Sequence, residues 1–175
     1  MKKDTKTICY GGLCLALIWL LPFVTFGVPE VANKFSPMHY PAFLCGFICG
    51  PIWGALVGFI GPITRSLLFG RPPMLQKAIP MAFELASYAA VSGILFKRLP
   101  KKKSSIYKAL ICAMIIGRLI WAPVKYFMMN KVVGTLFTLP MLLADGVLNA
   151  WVGIIAQIIL IPIIVMALEK SKIIK

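Results

Sequence analysis

The sequence predicts an all-α integral membrane protein, a bundle of six transmembrane helices with both termini in the cytoplasm. Three observations carry this expectation. Hydrophobic residues make up 60% of the 175-residue chain and charged residues only 14%, with a mean hydropathy of +0.90, so lipid must solvate a surface too apolar for water. The long apolar runs lack the period-two alternation of a membrane barrel, and a backbone in hydrocarbon must satisfy its own hydrogen bonds, which leaves helices. Finally, the basic residues bracket the apolar runs, as orientation signals do.

The first span, Ile8 to Val28, is long enough to cross and ends in the polar stretch Pro29 to Pro37. Its basic start, Met1 to Thr7, resembles a signal peptide, but no small-x-small cleavage site follows, so the run reads as the first helix. Phe35 to Thr64 carries no formal charge over 30 residues and continues past Arg65 to Phe69. Gly50-Pro51 divides it, because glycine ends helices and proline starts them, which predicts two short helices and a tight turn. The later runs are Ala78 to Phe96, Ile106 to about Met128, and Leu139 to Leu168, the last long enough to tilt or to begin as an outer loop. The expected helices are therefore about 8–28, 39–50, 52–69, 78–97, 106–128 and 139–168, in a single membrane domain over 1–175.

Charge parity tests the division independently. Twelve of the nineteen Lys and Arg residues lie at Lys2, Lys3 and Lys6, between Lys97 and Lys108, and between Lys170 and Lys175. An even number of crossings must separate these clusters if all face the cytoplasm. One helix over Phe35 to Phe69 breaks that rule and two restore it. Outer loops then fall near 29–39, 70–78 and 129–139, and the inner loop is Lys97-Arg98-Leu99-Pro100-Lys101-Lys102-Lys103. This is a multi-pass protein of the cell membrane with lipid around it.

Several functions are disfavoured. The net charge of +14 forms no basic stripe with interleaved aromatics, so nucleic acid is not an expected partner. Cys9, Cys14, Cys45, Cys49 and Cys112 lie in apolar runs and read as small buried residues. Cys45 and Cys49 are one turn apart, yet His39, the single histidine, is too far along to complete a tetrahedral metal set. No cofactor or metal is expected, and two separated acids with one histidine suggest no enzyme. A phosphate-binding loop is also lacking, so energy for transport must come from a partner or an ion gradient.

Glycines recur at Gly46, Gly50, Gly54, Gly58 and Gly61, and Gly12 and Ala16 make a shorter small-residue pair. Both patterns fit close helix packing; the first also fits sliding helices or ligand approach, the second a partner helix. Ionisable residues within apolar runs are more informative, since each costs on the order of 3 kcal/mol at the bilayer centre unless it faces a cavity or a partner. They are Arg65, Glu84, Arg118, Lys125 and Asp145. Ser87 and Tyr88 lie one turn inside Glu84, Asn149 lies one turn inside Asp145, and Trp121 lies one turn from Arg118 and Lys125. An outward-opening polar pocket unites them, with the loop around Arg71 (Gly70-Arg71-Pro72-Pro73) as a lid. The competing reading is a set of structural ion pairs, Glu84 with Arg65 and Asp145 with Arg118 or Lys125, beside an ordinary interfacial turn. Snorkelling also accounts for Lys125.

Met38 to Gly50, then Gly54, Gly58, Pro62 and Arg65 to Met74, then Ala82 to Tyr88, resemble the membrane-embedded S-components of energy-coupling factor (ECF) transporters. The resemblance covers roughly residues 38–97 and implies a subunit that captures a vitamin or vitamin precursor from outside. It further implies docking on a T-component with a pair of ATPase subunits, and reorientation to deliver the ligand. Family members present small residues on helix one to the T-component; here Gly12 and Ala16 match, and Leu20 stands at the third small position. The sequence looks closest to the pantothenate-type and hydroxymethylpyrimidine-type branch. Arg65, Arg71, Arg118 and Lys125 suggest a ligand with an anionic group, pantothenate being the first choice. The substrate set so expected is Arg65, Arg71, Glu84, Tyr88, Arg118, Trp121, Lys125, Asp145 and Asn149. A stand-alone ion-coupled secondary transporter of a small organic solute is the alternative, with Glu84 and Asp145 as ion sites.

Overall fold

In a computed structural model that describes residues 3–25, 34–100, 102–148, 150–171 and 173–174, every regular element is helical. Helix α1 (Lys3–Leu20) loses α geometry just before Pro22, which has no N–H to donate, and continues as a 3-10 turn, Leu21–Thr25. The expected first span ran to residue 28; its last three residues lie outside the described part.

Helix α2 (His39–Cys49) stops at Gly50, whose φ of +86° suits a residue without Cβ and whose N–H returns to the Gly46 carbonyl. Pro51 then opens α3 (Pro51–Phe69) at a position where its missing N–H costs nothing. The chain turns between two helices here, where glycine and proline meet. Gly70, at φ +68°, closes α3 with an N–H to the Ser66 carbonyl.

A π-helical turn, Met74–Ala78, leads into α4 (Ile79–Arg98). Helix α5 (Lys103–Phe127) runs into a second such turn, Met128–Val133. The last apolar run, expected as one helix over 139–168, is interrupted. It forms a short α6 (Leu139–Leu143), a π turn over Ala144–Leu148 that holds Asp145 and Gly146, and α7 (Trp151–Lys170).

Among the described residues five segments are long and apolar enough to cross a membrane, and α2 is a shorter apolar helix among them. With 11 residues, α2 rises about 16 Å, roughly half the thickness of a bilayer core. Large apolar side chains such as Ile52, Leu67 and Leu119 point outward from α3 and α5, a surface suited to lipid. All five cysteines are free; Cys14 and Cys45 are buried as expected, whereas Cys9 and Cys112 are exposed.

Glycine faces bring α2, α3 and α4 into backbone contact. A Cβ on Gly46 would collide with the Ala89 carbonyl, one on Gly58 would sit 2.6 Å from the Leu85 carbonyl oxygen, and one on Gly54 2.8 Å from the Gly46 Cα. A Cβ on Gly93 would likewise sit 2.7 Å from the Gly46 carbonyl oxygen. Such contacts gain dispersion energy where lipid supplies no hydrophobic drive. Around them Ile18, Phe43, Leu85, Tyr88, Ile106 and Ile161 form a closed core. The Phe43 and Tyr88 rings stack at 4.6 Å, and Phe47 meets Phe96 edge to face.

The ends of the elements sort by side. Thr7 near the start of α1, Cys49 at the end of α2 and Lys97 at the end of α4 meet: the Cys49 thiol lies 3.6 Å from the Thr7 carbonyl oxygen, and a Cβ on Gly50 would sit 2.6 Å from Lys97 Nζ. At the other side gather the end of α1, the starts of α2 and α4, and the ends of α3 and α5.

Candidate functional site

Those gathered ends enclose a chamber of about 560 Å³, within the roughly 300–1,000 Å³ usual for small-molecule sites. His39, the first residue of α2, lines it. Ser36, Pro37 and Met38, which precede the helix, line it too. Exposed Gly70, Arg71, Pro73 and Gln76 stand at its mouth.

Glu84 is carried in by the first turns of α4 and is 1% exposed. Its Oε1 accepts a hydrogen bond from the Tyr88 hydroxyl at 2.7 Å, one helical turn on, and lies 3.0 Å from Arg118 Nη1 of α5. Its Oε2 is 3.6 Å from His39 Nε2, too far for a hydrogen bond. Helical spacing places Trp121 beside Arg118, whose guanidinium lies 5.2 Å from the indole ring. The indole in turn packs on Gly146, where a Cβ would be 3.1 Å from the ring.

Lys125, one further turn along α5, is buried, donates to the Gln76 carbonyl at 2.7 Å and lies 3.8 Å from Asp145 Oδ2. It thereby ties the turn after the mouth loop to α5 and to the break before α7. Its ammonium also stands 5.4 Å from the Phe137 ring.

Arg65, at the end of α3, donates to the carbonyls of Trp19, at 3.2 Å, and Arg71. Its guanidinium lies near the Phe23 and Phe69 rings, at 5.5 and 5.8 Å. Ser66 donates to the Pro72 carbonyl at 2.6 Å. Helix α3 therefore holds the mouth loop by two side chains, and Arg65 balances its charge against carbonyl dipoles and aromatic faces.

Seven of the nine expected substrate residues line this chamber: Arg65, Arg71, Glu84, Arg118, Trp121, Lys125 and Asp145. Tyr88 does not. It lies behind Glu84, stacked on Phe43, and acts on the chamber by holding the carboxylate. Asn149 lies outside the described residues. The supposed Glu84–Arg65 pair is not formed, because Arg118 reaches Glu84 and Arg65 turns to backbone carbonyls; Asp145 faces Lys125, one of its two expected partners.

Two contributors escaped the sequence reading. His39 is 3% exposed, and neither ring nitrogen has a hydrogen-bond partner among the described residues. Its signal was a single histidine opening an apolar run, and a search for formal charges passes over it. Gln76 contributes a backbone carbonyl, which no residue type announces. Among the described residues no group of three His, Cys, Asp or Glu is placed to hold a metal ion. A second cavity of about 470 Å³, almost wholly apolar, lies across Arg118 and Trp121 between α5 and α7.

A helical membrane bundle packed tightly at one end and hollowed into a charged chamber at the other is a solute-binding membrane protein. The family model described as ECF transporter, substrate-specific component, matches residues 6–170. The chain belongs to that family: it is a substrate-binding membrane subunit of an ECF transporter, a multi-pass protein of the cell membrane, and the family partners with a T-component and ATPases. Searches of curated proteins and of solved structures each gave no match.

Proposed function

We propose that the chamber captures a small, vitamin-like organic acid from the outer face of the membrane for ATP-driven uptake. One observation carries this reading: five basic side chains, Arg65, Arg71, Lys77, Arg118 and Lys125, line the chamber with two carboxylates, Glu84 and Asp145. An excess of positive charge in a low-dielectric cavity favours an anionic ligand. The side on which it opens follows from the basic clusters at the far ends of the helices, which face the cytoplasm by the positive-inside rule. Pantothenate, of the pantothenate and hydroxymethylpyrimidine-like branch, is the first candidate.

Calorimetry of the detergent-purified chain with pantothenate and a panel of other small carboxylates and uncharged vitamins tests the proposal. Arg118→Ala should weaken binding by about 1–3 kcal/mol if the guanidinium meets the ligand. Wild-type binding by this variant refutes that role, and a panel in which only uncharged vitamins bind refutes the anionic ligand.

Gly12 and Ala16 form the proposed docking face for the T-component. A Cβ on Gly12 would meet nothing within 4 Å, so the isolated chain leaves that part of α1 open to another helix. Ala16→Trp should abolish ATP-driven uptake with the partner subunits while ligand binding by the isolated chain stays nearly intact. The alternative, a stand-alone ion-coupled carrier, draws on the buried Glu84 beside His39. Uptake into liposomes by the chain alone, driven by a proton or sodium gradient and indifferent to ATPase partners, would establish it instead.

A further inference from the structure

We infer that His39 recognises an uncharged hydrogen-bonding group of the ligand, a hydroxyl or an amide, while the ligand's anion sits elsewhere among the basic side chains. The inference rests on the proposed capture of an organic acid and narrows its class to one bearing such a group.

A buried imidazole with neither nitrogen hydrogen-bonded among the described residues is an incomplete arrangement, because burial removes the water that would otherwise satisfy it. Its residue opens α2, and the Tyr88 ring lies 5.6 Å from the imidazole, centroid to centroid. The residue lines the chamber; its two nitrogens have almost no surface open to water, and a ligand meets them as the side chain turns toward the chamber. Arg118 Nε, on the facing helix, is a second buried donor without a partner among the described residues.

The neighbouring carboxylate decides what kind of group fits. His39 Nε2 and Glu84 Oε2 are 3.6 Å apart, so an oxygen or nitrogen about 2.8 Å from each closes a triangle of two hydrogen bonds. The incoming group must accept from the imidazole N–H and donate to the carboxylate. A hydroxyl does both, and an amide does so with its two ends. A carboxylate or phosphate oxygen has no proton to give and would meet Glu84 with like charge at short range. Glu84 thus excludes the anion from this corner and leaves it to Arg65, Arg71, Lys77 and Lys125.

The test uses the full chain in detergent and small carboxylates in matched pairs, with and without a hydroxyl or with and without an amide, headed by pantothenate and its analogue with both hydroxyls replaced by hydrogen. Each pair is titrated by calorimetry into wild type, His39→Phe, which keeps a ring and removes both polar atoms, and His39→Gln, which restores a donor and an acceptor. The member of at least one pair that bears the hydroxyl or amide should bind wild type about tenfold tighter or more than its partner, since a site built to bond such a group rejects the analogue lacking it. That preference should fall to within about twofold in His39→Phe and return in part in His39→Gln. Should His39→Phe fail to fold, His39→Met gives the same reading with a flexible apolar side chain.

Equal wild-type binding of both members in every pair overturns the inference and leaves the capture of anions standing. A preference that survives undiminished in His39→Phe or His39→Met overturns it as well. Failure of every pair to bind the folded protein overturns the anionic reading and this inference with it.

Discussion

Replacing Glu84 by Gln keeps the side chain's shape and an acceptor for the Tyr88 hydroxyl, but removes the negative charge 3.0 Å from Arg118. Breaking a buried ion pair from one side costs about 3–5 kcal/mol, chiefly because the surviving charge is left without compensation. The Glu84 side chain is 2% exposed but that of Arg118 25% exposed, so screening brings the expected loss to the lower end, about 3 kcal/mol. Replacing Arg118 by Met in the same chain removes the stranded charge as well and should recover about 2 kcal/mol of that loss. Equilibrium unfolding in mixed micelles provides the assay, with tryptophan fluorescence as signal because Trp121 lies against Arg118. A single variant within about 0.5 kcal/mol of wild type, or a double variant less stable than the single, would falsify the account of Glu84 and Arg118 as a desolvated pair.

Three further outcomes are expected. Gly46→Val should destabilise the bundle by about 2 kcal/mol or more in the same assay, because its Cβ meets the Ala89 carbonyl of a neighbouring helix, while Gly12→Ala stays within about 0.5 kcal/mol. Equal effects would show that glycine packing is not what joins α2 to α4. Cysteines introduced at Lys34 and Gln76 should react with an impermeant reagent from outside, and one at Lys102 only from inside; external labelling at Lys102 in intact cells reverses the proposed orientation. Lys125→Met should raise amide exchange at Lys77 and Ala78, whose N–H groups return to the Pro73 carbonyl, because the ammonium no longer holds the Gln76 carbonyl. Unchanged protection there would mean that the turn stands without Lys125.

The all-helical membrane class was legible in the sequence because it follows from composition, and lipid admits few alternatives. The division at Gly50-Pro51 and the close approach of Gly46, Gly54 and Gly58 were legible for the same reason: backbone geometry and the missing Cβ act locally. Pairing within the chamber was harder. Arg65 and Glu84 carry opposite charges near adjacent helix ends, yet which side chains meet depends on the rotation of each helix about its axis. That rotation is set by the whole packed face. Arg65 and Lys125 also bond to main-chain carbonyls, acceptors present at every residue and freed only where a helix ends or turns. The interruption before α7 lay inside a run that hydropathy treats as uniform, although the Asp145-Gly146 pair marks its place.

Among its described residues the bundle is a cup, with a firm base and a hollow at the other end. At the base, backbones touch through Gly46, Gly54 and Gly93, and a segment there cannot move without displacing its neighbours. Toward the rim the helices are spaced by a hollow and joined by side-chain bridges from Arg65, Arg118 and Lys125, with Ser66 holding the mouth loop. Thermal opening should therefore begin at the rim and reach the base last, a gradient that hydrogen exchange resolves along each of α3, α4 and α5. A solute lodged in the hollow becomes, while it stays, part of the protein's own interior. The hold on cargo and the rigidity of the upper bundle are then one property, and anything that pries the rim apart also lets the cargo go.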